Sequence, residues 1–469
     1  MASRPESSPT PRISPALRPR REYKYPAGLK HNLLFYFLNR FRPADPIRFF
    51  EFLAKTYGPI AYYRIGRENI IFLNDPELIK EILVTQHQNF TKERTQQRMK
   101  ILVGEGLITS EGKFHLRQRR LAQPAFHRSR ISTYAATMVE RAMRVRERWQ
   151  AETKPERDIA LEMMHLTLSV VGKTLFDSDV DSEVEEIAAE VNAVMRLYNF
   201  LVALPQAERL LRYPIPGLRR FRKARSRLDK TVYRMIHEHR QGKVDRGDLL
   251  SMLMAAEYDD GTRMDDDQLR DEVMTIFLAG YETTANALTW TWYLLSQNPE
   301  AEARLHMEID SALGGHLPTF DDLPRLRYTE MVIAESMRLY PPAWAMGRRA
   351  INDFELGEYF LPAKTNVYFS PYIVQRSSQF FPEPLRFDPE RFTPEAKAAR
   401  NRFAYFPFGG GTRQCIGESF AWMELVLVVA TIAQRWKLSL VPGHPVEPQA
   451  LITLRPKFGM KMRLQQRQA

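Results

Sequence analysis

The sequence predicts one large, mainly α-helical domain with small β-sheets. Apolar residues recur at helical spacing through several long segments, and short runs rich in β-branched and aromatic residues lie between them. After residue 30 no Gly/Ser-rich linker, low-complexity segment or internal repeat divides the chain. With 469 residues, of which 44% are hydrophobic, the chain is long enough to bury a large core.

The predicted elements follow in order along the chain. A helix over 46–57 has proline in its first turn, and strands over 60–65 and 69–73 form a hairpin through Gly66. Asp75 and Pro76 begin a helix that continues to Leu83. Further helices are predicted over 131–150, 159–176, 184–204, 218–240, 265–297, 299–313, 324–340 and 415–436. A strand is predicted over 365–369, and proline-dense loops over 381–394.

Residues 1–30 contain six prolines and few bulky apolar side chains, so they cannot offset the entropy of ordering. We expect a disordered basic arm there and one domain over 31–469. The net charge is +12, but residues 1–30 and 453–469 each contribute +5. Solvated basic tails are therefore favoured over a nucleic-acid-binding face, and an anionic membrane surface or an acidic protein remains open as their partner.

The longest apolar stretch, 420–433, is interrupted by Glu424, and the first fifteen residues have no hydrophobic signal core. We therefore predict no membrane span and a cytoplasmic location. The chain has a single cysteine, which excludes an intrachain disulfide framework and any multi-cysteine metal cage.

That cysteine lies in the most informative segment, which runs from Phe408 to Gly417 and leads into a predicted helix. Its glycines allow a tight turn and close approach to a flat partner. Arg413 and the N-terminus of the helix favour an anionic sulfur on Cys415, and Phe408 can shield that sulfur from water. The segment predicts a stable thiolate with a large partner.

Four kinds of site could use this thiolate. A cysteine protease would pair it with a histidine, and the ten histidines leave that possibility open. Zinc would need three further ligands, and the sequence has no HExxH motif. A GxGxxG loop begun at Gly409 would need glycine where Gln414 stands. Haem iron needs only one protein thiolate, so one cysteine is sufficient for haem.

The pattern Phe408-x-x-Gly-x-Arg-x-Cys-x-Gly resembles the haem-ligand signature of the cytochrome P-450 superfamily at all five positions, and the resemblance extends over about residues 31–469. It implies the cytochrome P-450 fold and haem b with Cys415 as axial thiolate ligand. The implied activity is a monooxygenase that inserts one atom of O2 into a small apolar substrate by hydroxylation or epoxidation. NAD(P)H-derived electrons would arrive through a separate ferredoxin or flavodoxin with its reductase.

Gly280, Glu282 and Thr283 lie inside the predicted helix 265–297 and are similar to the family's acid–alcohol pair. Alone, the motif would favour a mid-helix glycine beside an ordinary polar turn. The resemblance implies that Gly280 leaves room above the cofactor, while Thr283 and Glu282 deliver protons during oxygen activation.

Glu335-Ser-Met-Arg338 and the later Arg391 resemble the family's Glu-x-x-Arg and Pro-Glu-Arg-Phe elements. Acid and base three apart on a helix usually form only a surface pair. The resemblance implies instead a buried network that supports the cysteine loop, so we assign these residues a structural role.

Two basic segments could bind the haem carboxylates, although most basic side chains are simply solvated. Arg119 and Arg348 match the arginines that take this role in the family, and Arg413 belongs to the cysteine loop. His115 stands where the family often has tryptophan, and its charge state depends on its surroundings.

Two other interpretations remain open: a peroxide-driven peroxygenase or isomerase of the same family, and a non-catalytic haem-binding protein. Retention of Glu282 and Thr283 argues against both, because such members typically lose this pair. The sequence does not identify the substrate. We expect an apolar guest such as a fatty acid, terpenoid or polyketide. Its predicted contacts are Leu201, Val202, Phe277, Trp344 and Met346.

Overall fold

The computed structural model describes residues 22–29, 45–152, 154–177, 190, 216–242 and 247–467. Helices dominate, as predicted. They are α1 (Pro46–Tyr57), α2 (Pro76–Lys80), α3 (Arg94–Gln97), α4 (Lys100–Val103), α5 (Gly112–Ala122), α6 (Arg128–Ala151), α7 (Ile159–Phe176), α8 (Pro216–Gln241), α9 (Leu249–Ala255), α10 (Asp266–Gln297), α11 (Pro299–Leu313), α12 (Arg327–Leu339), α13 (Pro371–Val374), α14 (Pro394–Ala399) and α15 (Glu418–Ala433).

The strands form four small sheets within the described residues. They are β1 (Gly28–Leu29), β2 (Ile60–Ile65), β3 (Glu68–Leu73), β4 (Phe90–Lys92), β5 (Glu156–Asp158), β6 (Met346–Ala350), β7 (Phe354–Leu356), β8 (Tyr359–Leu361), β9 (Asn366–Phe369), β10 (Trp436–Leu440), β11 (Pro448–Ala450), β12 (Leu454–Pro456) and β13 (Lys461–Gln466). The largest sheet has the order β1-β2-β3-β9-β6-β4, and its β4–β6 register places Lys92 opposite Arg348. The others are β10-β13-β5, β11-β12 and β7-β8.

The long helix α10 forms the centre of the fold. It begins after Asp265, whose carboxylate accepts a hydrogen bond from the Gln268 amide at 2.7 Å. Most of its side chains are buried, so it is apolar on nearly every face, as a helix surrounded by others must be. The equally apolar helices α7 and α15 belong to the same hydrophobic core. The layer around α10 thus determines which α10 residues can face a cavity.

Several predicted boundaries differ from the structure, three of them with consequences for the fold. The predicted arm should include 22–29, but Gly28 and Leu29 pair with Tyr62 and Tyr63 in the large sheet. The helix predicted to extend to Leu83 is α-helical only to Lys80, and a π-helical turn, Glu81–Thr85, follows it. The last helix begins at Glu418, so Cys415 precedes it. Residues 1–21 of the arm and nearly all of the predicted helix 184–204 lie outside the described residues.

Helix α7 is the one described helix that is long and apolar enough to cross a membrane by length and composition. The prediction of no such segment overlooked it, because its apolar residues are not consecutive. Within the fold, 67% of the helix is buried, and it packs along α10. This is the behaviour of a core helix, whose apolar surface is covered by protein.

A buried carboxylate connects α12 to the segment that precedes the cysteine loop. Glu335 and Arg338 are both fully buried and form two hydrogen bonds of 2.6 and 2.7 Å. Glu335 also accepts the Asp388 amide at 2.9 Å, and the Arg391 Nε lies 3.5 Å from Glu335 Oε1. Arg338 in turn donates to the Gln375 carbonyl at 2.7 Å. The structure thus brings the three predicted residues together in a structural network.

We expect Glu335→Ala to lower the free energy of unfolding by about 3–5 kcal/mol, because Arg338 would remain buried without its partner. Denaturant unfolding of the purified protein measures the change. Glu330→Ala is the matched control on the same helix, since Glu330 forms an exposed ion pair with Lys397 at 2.9 Å. Its loss should cost less than about 1 kcal/mol. Equal losses in the two variants would contradict the network.

Candidate functional site

Cys415 lies between a 3₁₀ turn, Gly411–Arg413, and the start of α15. Its amide donates to the Phe408 carbonyl at 3.0 Å, which closes the loop. Gly411 has a φ of 68°, and a Cβ there would lie 2.0 Å from the Leu83 carbonyl oxygen. Only glycine fits this contact, so the loop is seated directly on the π-helical turn.

Cys415 opens onto a cavity of about 390 Å³ whose lining includes Arg119, Phe126 and Gln414. Cys415 is accessible from this cavity, yet desolvation by the surrounding protein raises the pKa of its thiol to about 11, against the lowering effects of the Gly417 amide and Arg119. The polypeptide alone therefore favours the protonated thiol. A thiolate at this position requires a further positive charge, which a metal ion at the sulfur would provide.

The predicted role of Arg413 changes accordingly. Its guanidinium donates to the Ser110 carbonyl at 2.8 Å and pairs with the Glu111 carboxylate. Arg119, which donates to the Gln414 carbonyl at 2.9 Å, is the cation that lowers the pKa of the Cys415 thiol. Arg413 belongs instead to a group of basic side chains beside the loop.

That group, the cationic cluster, consists of five residues from β4, α5, β6 and the cysteine loop: Lys92, His115, Arg119, Arg348 and Arg413. Burial, together with Arg348 and Arg413, lowers the pKa of Lys92 to about 7. Burial and the neighbouring cations lower the pKa of His115 to about 3, so this histidine is neutral. Burial and Arg413 lower the pKa of Arg348 to about 10. The positive charges of the cluster repel one another, so a bound anion would stabilise them.

Lys92 was missed by sequence reasoning. Nothing near it in the chain marks it, since Phe90-Thr91-Lys92 is an ordinary short strand. Its proximity to Arg348 arises from the antiparallel register of β4 and β6, which joins segments far apart in sequence. Only knowledge of that strand pairing would have identified it.

Gly280 packs against α7, and its role of leaving room above the cofactor stays a prediction. A Cβ at this position would lie 3.1 Å from Val171 Cγ2, so the glycine permits close packing of α10 on α7. The exposed face of this turn is formed by Ala279, which is accessible, and Thr283, which is partly accessible. The Thr283 hydroxyl donates to the Ala279 carbonyl at 2.7 Å. Small Ala279 leaves room beside Thr283.

The side chains of Glu282 and Thr283 form no hydrogen bond with each other within the described residues. Its carboxylate is buried and accepts a hydrogen bond from the Thr453 hydroxyl at 2.6 Å. Burial raises the pKa of Glu282, while the Thr453 bond and Arg455 lower it. The Thr453 hydroxyl therefore holds a Glu282 carboxyl whose raised pKa favours its protonated form.

Three of the five predicted substrate contacts lie within the described residues. Phe277 is buried on α10, between the rings of Phe176 and Tyr281. The Trp344 indole donates to the Leu451 carbonyl at 2.7 Å, and Met346 begins β6 near Gly409. Leu201 and Val202 lie outside the described residues.

Comparisons with known proteins give a consistent result. The family model described as Cytochrome P450 matches residues 26–462. Cyclooctatin synthase of Streptomyces melanosporofaciens is 39% identical over 86% of this chain and 88% of its own. Pentalenene oxygenase of Streptomyces avermitilis is 36% identical over 89% and 92%. The crystal structure of a cytochrome P450DA heme domain matches with a TM-score of 0.84 at 25% identity, covering 95% of this chain and 99% of that one.

The residues fit a haem. The porphyrin of haem b carries two carboxylates, and the side chains of the cationic cluster can donate hydrogen bonds to them. Among the described residues, the cluster forms one ion pair with a carboxylate, between Arg413 and Glu111. His127 and Glu418 line the same cavity as the thiol, but the described residues contain no group of three or more His, Cys, Asp or Glu suited to a metal. One sulfur and one set of cations therefore suit a flat dianionic cofactor that brings its own iron ligands.

We expect Cys415→Ala to lose thiolate ligation. The reduced, haem-loaded wild-type protein under carbon monoxide should absorb in the red-shifted region typical of thiolate-ligated haem. The variant should lack that band in the same measurement. A wild-type band at the position of histidine-ligated haem would refute Cys415 as the ligand.

Lys92 should make the stability of the cofactor-free protein depend on pH. The unfolded chain keeps the Lys92 proton up to about 10.5, whereas the folded chain releases it above about 7. The unfolded state thus binds more protons in this window, and stability should rise with pH. Thermal unfolding between these pH values should show a smaller rise in Lys92→Met than in wild type.

The control for this measurement is Lys113→Met, which replaces an exposed lysine on α5. It should keep the wild-type dependence on pH. Identical slopes in all three proteins would show that Lys92 is not perturbed by the cluster.

Proposed function

This chain belongs to the cytochrome P450 family and is a haem-thiolate monooxygenase, and from that premise we propose its substrate class, its electron donors and the roles of its residues. The observation that carries the proposal is the position of Arg119, which belongs to the cationic cluster and lines the cavity at Cys415. We propose that the enzyme hydroxylates or epoxidises a terpene hydrocarbon or terpene alcohol.

The relatives support this substrate class. Cyclooctatin synthase and pentalenene oxygenase, which are named for terpene chemistry, align with this chain over most of their length. An apolar substrate also suits the exposed face of α10, where Ala279 presents only a methyl group beside Thr283. An apolar substrate is bound mainly by a site of complementary shape that excludes water, so few polar contacts are required.

We assign haem binding to Cys415 as iron ligand and to Arg119, Arg348, Arg413 and Lys92 as partners of the carboxylates. His115, being neutral, supplies a hydrogen bond rather than a charge. When bound, haem supplies the iron at which O2 is reduced, so that one oxygen atom enters the substrate and the other leaves as water. The cations position the cofactor, and its charge relieves the repulsion among them.

Two electrons and two protons are consumed for each oxygen atom inserted. We propose that the electrons pass from NAD(P)H through a reductase to a ferredoxin or flavodoxin, and that the reaction takes place in the cytoplasm, where these donors are found. Thr283 holds a hydroxyl at the exposed face of α10, where it can order the water that delivers protons. Glu282, whose pKa burial raises, can reload that water.

A panel of terpene hydrocarbons and alcohols, with fatty acids as the comparison class, tests the substrate. Binding is followed by the shift of the haem spectrum from low to high spin, and products are identified with surrogate redox partners. We expect terpenes to give the shift and an alcohol or epoxide. Turnover of fatty acids alone would refute the terpene assignment.

We expect Thr283→Ala to uncouple the enzyme, because the hydroxyl is lost while the exposed face of α10 beside Ala279 stays apolar. Product per NAD(P)H should fall by about tenfold or more. Hydrogen peroxide should account for most of the difference, and substrate affinity should change little. Thr289→Ala is the control, since the Thr289 hydroxyl bonds only the Ala285 carbonyl of the same helix, at 2.7 Å. Wild-type coupling in Thr283→Ala would refute the proton role of Thr283.

A further inference from the structure

Thr453 connects the β11–β12 hairpin to α10. Its side chain is buried, with the residue 5% exposed, and its hydroxyl donates to Glu282 Oε1 at 2.6 Å. The same oxygen of Thr453 accepts a hydrogen bond from Asn286 Nδ2 at 3.1 Å. Asn286 lies one helical turn after Glu282, so both partners of Thr453 stand on one face of α10.

This arrangement has a fixed direction. An amide NH2 can only donate, so the Asn286 bond occupies a lone pair of the Thr453 oxygen and leaves its single proton for Glu282. The Glu282 carboxylate forms no other hydrogen bond within the described part of the chain. Oε1 is therefore held as an acceptor, and Oε2 is the carboxyl oxygen left to carry a proton.

The hairpin itself is anchored on both sides of Thr453. The Trp344 indole donates to the Leu451 carbonyl at 2.7 Å, and the Trp290 indole donates to the Leu454 carbonyl at 3.0 Å. The Leu454 amide donates to the Pro342 carbonyl at 2.9 Å. Because these bonds hold the backbone on either side, the Thr453 hydroxyl is delivered to Glu282 from a rigid support.

We propose that Thr453 is a positioning residue of the monooxygenase, whose hydroxyl holds the Glu282 carboxyl so that proton uptake and release take place at Oε2. The inference rests on the proton role proposed for Glu282. Two ionisable groups interact electrostatically with this carboxyl, Arg455 on β12 and Tyr281 on α10. Of these, Arg455 acts with the Thr453 hydroxyl against burial, so removing the hydroxyl should favour the protonated acid further.

Infrared spectroscopy of the haem-loaded protein tests the contact without reference to turnover. The carbonyl stretch of protonated Glu282 is assigned by its loss in Glu282→Gln. In Thr453→Val we expect this band at higher wavenumber and its titration midpoint at higher pH. Thr453→Ser should restore both to wild type. Thr291→Val should leave both unchanged, because the Thr291 hydroxyl bonds only the Ala287 carbonyl, at 2.8 Å.

An unchanged band and midpoint in Thr453→Val would overturn the inference. If that variant does not load haem, Thr453→Ala provides the same comparison with a smaller side chain. Kinetics then tests the consequence for the reaction. Thr453→Val should lower kcat about tenfold with little change in KM and a larger solvent isotope effect, because the proton donor is no longer held.

The two measurements separate the possible failures. If no terpene is turned over but the Thr453→Val band shifts, the substrate proposal fails and the contact stands. If the band shifts while kcat and the isotope effect stay at wild-type values, Thr453 holds the carboxyl without serving the reaction, and the inference is overturned.

Discussion

The buried Glu335 carboxylate is the interaction on which the placement of the cysteine depends. It joins α12 to the Asp388 amide, and Arg338 extends the network to the Gln375 carbonyl. The Gln375 side chain in turn accepts the Phe406 amide at 3.1 Å, two residues before the cysteine loop begins. A buried ion pair adds little net stability, but it imposes one geometry because every alternative leaves a charge unpaired. Here that geometry determines where the sulfur stands.

Beside the cysteine loop the fold concentrates positive charge that Glu111, paired with Arg413, balances only in part. Burial and mutual repulsion together lower the pKa of Lys92, Arg348 and Arg413. Burial also disfavours the charged form of the nearby thiol, and so raises the pKa of Cys415. A dianionic cofactor that carries a metal cation corrects both problems at once. The haem is thus part of the electrostatic structure of the core as well as the source of its chemistry.

Local signals in the sequence predicted much of the fold. Helices 46–57, 159–176 and 299–313 and the strand 60–65 were located to the residue, because prolines, aspartates and glycines mark their ends. The roles that depend on distant partners were not predictable. Gly280 is needed because of Val171, and Arg413 is bound by Glu111. Thr453 and Glu282 are 171 positions apart, and no periodic pattern records such a contact. The cysteine-loop motif was enough to locate the site in the sequence. The residues that contact Gly280, Arg413 and Glu282 are determined by tertiary packing.

The contact between Gly411 and the Leu83 carbonyl has a consequence for biosynthesis. Lys92 and Arg119 are made early, Arg348 much later, and Cys415 later still. The ribosome must therefore release the chain through Cys415 before the cysteine loop can settle on residues 81–85. Until then the emerging protein cannot retain its cofactor, and its apolar core helices must be shielded by one another or by chaperones. Haem retention is thus coupled in time to synthesis of the cysteine loop.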